Sequence, residues 1–287
     1  MSVRIVSDTA CDLPADLVDE LGILLVPLHI RFGATELLDR EELTVKDFWS
    51  RCAASDQLPE TAAPSPGAFT AAFETLAAQG ADGAVCVTLS SKLSATHEAA
   101  AQAARAFVNG FPVEVTDSCS VTLGEGLVVL AAAEAAAAGG AIAEVVAAAT
   151  SARDRLSVFG AIDTLENLRK GGRIGGAAAA LGTVLSIKPV IEVRNGVVEQ
   201  ESRQRTRAKS LRYLVDKVRS AGPLERLAVM NADATDFASF LELVQDVGSS
   251  HPRLVGDIGP VIGTHAGPGA IGLAWVRDPG RGIEGKD

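Results

Sequence analysis

The sequence predicts an α/β protein of two domains. The first, residues 1–155, is a three-layer α/β/α domain with a mostly parallel sheet; the second, residues 156–287, is an α+β domain with a mixed sheet. Three observations carry this. Apolar runs alternate with helical patterns through the first half, the rhythm of β–α–β units with helices on both faces of a sheet. GAVCVTL (residues 83–89) is continuously apolar, as a strand buried on both faces must be. In the second half Asn195-Gly196 lies between alternating segments, a hairpin signal and therefore a sign of antiparallel pairing. A chain of 287 residues, 47% hydrophobic, is long enough to bury cores of this size.

VRIV (3–6) is the first strand, and Pro14 opens a helix running through Leu21. ILLVPLHIRF (23–32) reads as the next strand, with Pro27 marking an edge or a bend. Helical patterns follow at 45–53 and 67–78, then the strand 83–89, a helix over 94–107 and the buried strand VEVTD (113–117). VVLAAAEAAAAGGAIAEVVAAAT (128–150) is interrupted by Glu134, Glu144 and Gly139-Gly140, so it reads as two packed alanine-rich helices rather than a membrane span. SVFGAI (157–162) opens the second half as a strand. The glycine-rich LRKGGRIGGAAAALG (168–182) is a basic, flexible turn, and PVIEVRNGVVEQESRQR (189–205) is the hairpin. A helix at 206–220, a strand at 227–230 and a helix at 236–247 follow. VIGTHAGPGAIGLAWV (261–276) reads as two strand-like runs around a glycine-rich turn, and RDPGRGIEGKD (277–287) as a frayed tail.

A net charge of −10 argues against nucleic acid as a partner and gives no general attraction to anionic membranes. Cys11, Cys52, Cys86 and Cys119 form no C-x-x-C pair and no zinc spacing. They read as reduced thiols in a cytoplasmic protein, with Cys86 buried in a strand. VRIV is too short for a signal peptide.

Several stretches offer chemistry. TLSSKLSATHEAA (88–100) follows the buried strand and opens a helix, the place where open α/β sheets bind ligands. Ser90, Ser91, Ser94 and Thr96 present more hydroxyls there than a helix cap needs, beside an N-terminus that favours anions. In ETAAPSPGAF (60–69), Thr61 can reach the same place, while Ser65 reads as a cap before Pro66. RKGGRIGG lacks the spacing of a nucleotide loop. RQRTRAKSLR (203–212) is the one dense basic cluster, either a solvated helix face or a local site for phosphate or an acidic partner. Asp8 ends the first strand, but it stands four residues from Asp12, not at the Asp-x-Asp spacing of acidic phosphatase nucleophiles. His265 lies among glycines that permit close approach to a ligand; a tight turn with an incidental histidine is the plainer reading of that stretch.

VSDTACDLP, TAAPSPGAF, LSSKLSATHEAA, VTDSCSVTLGEG, LENLRKGGRI and GTHAGPGAIG occur in the order and spacing of the DegV family, which the chain resembles over about residues 3–276. The resemblance implies two α/β domains clasping one long-chain fatty acid in a buried tunnel at their interface, with no cofactor and no metal. It implies a non-catalytic, bacterial lipid carrier that presents the carboxylate to a separate ATP-dependent fatty acid kinase with a dihydroxyacetone-kinase-like domain. The acyl phosphate would feed phospholipid synthesis, with at most transient membrane contact for lipid exchange. Thr61 and Ser94 match the hydroxyls that hold the carboxylate, with Ser91 grouped beside them, and His265 matches the histidine at the head group. Arg173 and Arg205 match basic residues linked to phosphoryl transfer or kinase docking. The chain departs from the family at Ala62-Ala63, where Ser-Gln is frequent, and at Ala95, where glycine is usual. The alternative is a hydrolase or phosphotransferase acting on an acyl or phosphorylated small molecule. The sequence offers no nucleophile–base pair, metal cluster or nucleotide loop for it. A DNA-binding regulator is disfavoured by the acidic charge.

Overall fold

A computed structural model describes residues 2–55, 57–107, 110–180 and 187–280. The first half runs β1 (Val3–Asp8), α1 (Ala15–Glu20), β2 (Leu24–Val26), β3 (His29–Phe32), β4 (Thr35–Leu38), α2 (Val45–Ala53), β5 (Glu60–Ala62), α3 (Pro66–Ala78), β6 (Gly83–Thr88), α4 (Thr96–Ala106), β7 (Val113–Asp117), α5 (Thr122–Ala137) and α6 (Ile142–Asp154). The second runs β8 (Leu156–Ala161), α7 (Glu166–Lys170), β9 (Lys188–Arg194), β10 (Val197–Gln204), α8 (Arg207–Arg219), β11 (Leu224–Asn231), α9 (Phe237–Leu243), β12 (Leu254–Asp257), α10 (Pro260–Ala266) and β13 (Ile271–Arg277).

The first sheet is parallel throughout, in the order β2-β1-β6-β7. The central strand β6 is buried throughout because both faces are covered, whereas β7, expected to be a buried strand, lies at the sheet edge with Glu114 exposed. Val3, Ile5, Val85 and Val87 join the core with α5 and α6, whereas Val6, Ala84 and Cys86 pack on α3 and α4. The second sheet is mixed, in the order β10-β9-β8-β13-β11-β12, with only β11 and β12 parallel. Its hairpin β9–β10 turns at Asn195 and Gly196, both with positive φ, as a two-residue hairpin turn requires. One face is covered by α8 and α9. The other packs on α5, which is apolar around its circumference and lies between the two sheets. We propose the division between domains at residues 155 and 156, between the end of α6 and the start of β8.

Two expectations are corrected. Residues 23–32 are not one strand. The chain breaks at Pro27, which has no N–H for a ladder; β2 stays in the parallel sheet, and β3 enters a separate antiparallel sheet, β4-β3-β5. Nor do Val261 and Ile262 begin a strand. Pro260 occupies the first turn of α10, a favoured proline position, and Gly263 lets Phe48 and Trp49 pack against the helix at close range. Tertiary packing overrides the β preference of the apolar run. The alanine-rich pair forms α5 and α6, and no helix among the described residues is long and apolar enough to cross a membrane. Cys86 is buried in β6. Most of the expected tail and the end of the glycine-rich turn, residues 281–287 and 181–182, lie outside the described residues.

Candidate functional site

Between the second sheet, the small antiparallel sheet and α10 lies a cavity of about 170 Å³ whose wall is mostly carbon, including Leu28, Leu89, Val121, Leu168, Ile191 and Val198. Four polar side chains line it: Thr61, Ser94, Arg173 and His265. They arrive from both halves of the chain.

Thr61 is carried by β5, pairing with Ile30 of β3, so the small antiparallel sheet delivers its hydroxyl to the cavity. Thr61 Oγ1 lies 3.1 Å from His265 Nε2, a hydrogen bond whose direction depends on the histidine tautomer. His265 sits in the last turn of α10, which α7 secures: Asn167 Nδ2 donates to the Thr264 carbonyl at 3.3 Å. The imidazole lies directly against Gly171, where a Cβ would stand 2.3 Å from Nδ1. That Nδ1 is buried, with no hydrogen-bond partner among the described residues. Burial, and then the nearby Arg173 cation, lower the pKa of His265 to about 4. The ring is therefore neutral at pH 7, with one donor and one acceptor nitrogen.

Ser94 precedes α4 and accepts from the Thr96 N–H at 3.3 Å, with the two hydroxyls 2.9 Å apart. It thus combines a capping role with a place at an anion-favouring helix N-terminus. Arg173 straps two loops together, Nε donating to the Leu93 carbonyl at 3.1 Å and Nη1 to the Gly171 carbonyl at 2.7 Å.

The loops are held from behind. Asp8 accepts from the N–H groups of Leu89 (2.9 Å) and Ala10 (3.1 Å), and Thr9 Oγ1 accepts from the Leu28 N–H at 3.2 Å. These bonds set two wall residues of the cavity. Burial pushes Asp8 up to about 7, against its backbone hydrogen bonds. Asp12 is likewise raised to about 7 and Asp39 to about 6, and Glu125 is pushed upward by burial and by Asp8. From the other half, the hairpin tip clamps the Ser94 loop: Ser90 Oγ donates to the Gly196 carbonyl at 2.7 Å and Lys92 Nζ to that of Asn195 at 2.9 Å.

Of the residues singled out in the sequence, Thr61, Ser94, Arg173 and His265 converge on the cavity. Ser91 does not. Its backbone N–H donates to Asp117 Oδ2, and the residue is exposed in an outer hollow shared with Lys92 and Arg173. Arg205 is also exposed, just past β10. Val197, at the start of β10, borders the hollow, so about 25 Å of extended chain separates Arg205 from it. Ala62, Ala63 and Ala95 all line the cavity. Ser65 caps α3 as expected, accepting from the Ala68 N–H. Asn167, Leu168 and Gly171 were not anticipated; the clue was a short helical pattern ending in two glycines. Among the described residues no cluster of His, Cys, Asp or Glu has metal-binding geometry.

A family model described as the DegV family matches residues 2–278. The chain belongs to the DegV family. A DegV domain-containing protein of Mycobacterium bovis is 38% identical over 280 residues, covering 95% of this chain and 96% of that one. One from Streptomyces coelicolor is 35% identical over 278 residues, covering 94% and 97%. Among solved structures, a DegV family protein from Thermus thermophilus described as binding fatty acid superposes with a TM-score of 0.88 at 31% identity, covering 97% of this chain and 100% of that one. DegV of Bacillus subtilis, described as a fatty acid binding protein, gives 0.86 at 28% identity with coverage of 97% and 100%. The two-domain DegV architecture is thus that of this chain.

Proposed function

We propose that this DegV-family chain binds one long-chain fatty acid in the cavity between its sheets, with the carboxylate at Thr61, Ser94 and His265. The observation that carries this reading is the convergence of Thr61, Ser94, Arg173 and His265, with Thr61 hydrogen-bonded to His265 Nε2, on an otherwise apolar cavity. An apolar cavity with a few convergent polar groups is the form of a small-molecule site, here one for a ligand with an apolar tail and a polar head. The fatty acid binding described for the Thermus and Bacillus relatives supports the same ligand class.

The energetics divide the work. Burying an acyl tail contributes about 0.8 kcal/mol per CH₂, so a sixteen-carbon chain gains on the order of 10 kcal/mol. Hydrogen bonds to the charged head contribute ~1.5–3 kcal/mol each. The tail sets affinity; the head group sets orientation. We assign the chain no catalysis of its own: it is a cytoplasmic carrier that presents the carboxylate to a separate ATP-dependent fatty acid kinase, ahead of phospholipid synthesis. Phosphorylation would add negative charge to the head group. Arg173 stands where it can meet that charge, and the remote, exposed Arg205 suits kinase docking.

Denaturing mass spectrometry of the purified protein tests the ligand class. A co-purified long-chain fatty acid is expected; a protein that carries none and takes up none when it is added contradicts the reading. The pure protein with fatty acid and ATP, but no kinase, is expected to leave the ATP intact.

A further inference from the structure

A glycine inside a central strand weakens a sheet, because it packs nothing and loses backbone entropy. β8 is such a strand, flanked by β9 and β13, and Gly160 lies in its interior. Its cross-strand partner on β13 is a second glycine, Gly272. Opposed residues share a face. Here it is the face turned to α5, since Val158 and Ala274 belong to the same core as Leu123 and Leu127.

Neither glycine has a positive φ. Gly272 has a steric reason to be glycine: a Cβ there would press on Met230 Cε at 2.8 Å. Gly160 has none. A Cβ at 160 would meet Ile191 Cγ1 at 3.5 Å, an ordinary contact. Gly160 nevertheless stays partly accessible while its neighbours Phe159 and Ala161 are buried. The protein therefore leaves space in front of this position that it has no packing need to leave.

That space is a second chamber, of about 60 Å³, with Gly160, Gly272, Met230 and Ile258 in its wall and no charged side chain. Val121, Ile191, Val193, Ile262 and Ala266 wall both this chamber and the cavity that holds Thr61 and His265. Apolar chambers do not hold water well, because a water needs two to four polar partners. Left empty, the lining atoms lose dispersion contacts; a hydrocarbon end restores them.

Resting on the fatty-acid reading above, we propose that the tail end enters this second chamber and that Gly160 sets the longest acyl chain the protein accepts. A side chain at 160 occupies the space the terminal carbons need, without touching the head group.

The test is a binding series with dodecanoate, tetradecanoate, hexadecanoate and octadecanoate on the full chain and on Gly160→Leu and Gly160→Ala. In the unaltered protein each added methylene should improve affinity about fourfold until the chamber is full. The four carbons of leucine displace roughly four methylenes, so Gly160→Leu should weaken octadecanoate by about 250-fold while dodecanoate changes less than about threefold. Gly160→Ala should weaken octadecanoate by about four- to tenfold, and it carries the test if the leucine variant does not fold. Retained dodecanoate binding reports an intact fold and head-group site. A chain-length profile unchanged in the variants, or lowered equally at every length, overturns the role of Gly160 and leaves the fatty-acid reading standing. Failure of the unaltered protein to bind any of the four acids overturns both.

Discussion

The two chambers between the sheets are built on opposite principles. The one holding the head group draws its four polar side chains, Thr61, Ser94, Arg173 and His265, from a short strand, two loops and a helix end in both halves of the chain. The tail chamber is walled by the second sheet, by α10 and by neighbouring apolar loop residues, and carries no charge. In the first, single hydrogen bonds decide orientation. In the second, only volume matters. Substitutions at the two ends should therefore fail differently, the first by chemistry and the second by size.

The largest effect is expected at the junction. Ala266 walls both chambers. Ala266→Phe should block the passage between them and weaken long-chain fatty acids by at least about 250-fold, since it denies burial to four or more methylenes. Titration calorimetry would check this; near-normal affinity would mean that the two chambers are not joined in the complex. A head-group change should cost less. His265→Ala is expected to weaken a fatty acid by ~1–3 kcal/mol, roughly five- to 150-fold, and a fatty alcohol of the same length by less. Equal losses for acid and alcohol would show that the histidine does not read the carboxylate.

How much of this could be read from the chain follows from the same contrast. The head-group residues sit in short motifs with local signals: a strand followed by hydroxyls and a helix, a proline-rich loop, a histidine among glycines. Those signals mark the stretches, and the resemblance to the DegV family singles out Thr61, Ser94 and His265 within them. Helix α10 could not be read there, because its valine and isoleucine favour strands and only the packing of Phe48 and Trp49 shows why a helix forms. The sheet β4-β3-β5 escaped for a related reason. Its strands are three or four residues long, and β5 returns to β3 from beyond α2. The tail chamber was the least visible part. Gly160 and Gly272 are paired only by a ladder between strands far apart in sequence. A glycine in an apolar run gives no hint of what stands in front of it.

The scaffold behind the head group should reveal itself through pH. Burial raises Asp8 and Asp12 from 3.8 to about 7 and Asp39 to about 6, and pushes Glu125 upward as well. Between about pH 4 and 7 these groups hold more protons in the folded protein than in the unfolded chain, so stability falls as pH rises through that window. His265, lowered to about 4 from 6.5, acts in the opposite sense between those values. The four carboxyls outweigh it. The surface carboxylates paired with arginine, Glu166, Asp236 and Asp246, are lowered and lose their contribution only as pH falls below the ordinary carboxylate range. The melting temperature is therefore expected to drop between pH 5 and pH 7.5, and less steeply in Asp12→Asn. A melting temperature that climbs across this range would contradict the assignment.

The smallest expected signal is a titration. A carboxylate placed beside His265 favours the imidazolium and should raise its pKa above the value of about 4 in the ligand-free protein. Nuclear magnetic resonance of the ring with and without fatty acid would record it. Arg205→Ala, remote from the cavity, should leave both this shift and the affinity unchanged.

A crystal structure of the lipid-loaded protein would decide where the two ends of the ligand lie. The carboxylate is expected within hydrogen-bonding distance, directly or through one water, of Thr61, Ser94 and His265, with the tail running past Ala266 toward Gly160 and Gly272. A carboxylate beyond reach of all three side chains, or a ligand lying the other way round, would contradict the assignment of the site.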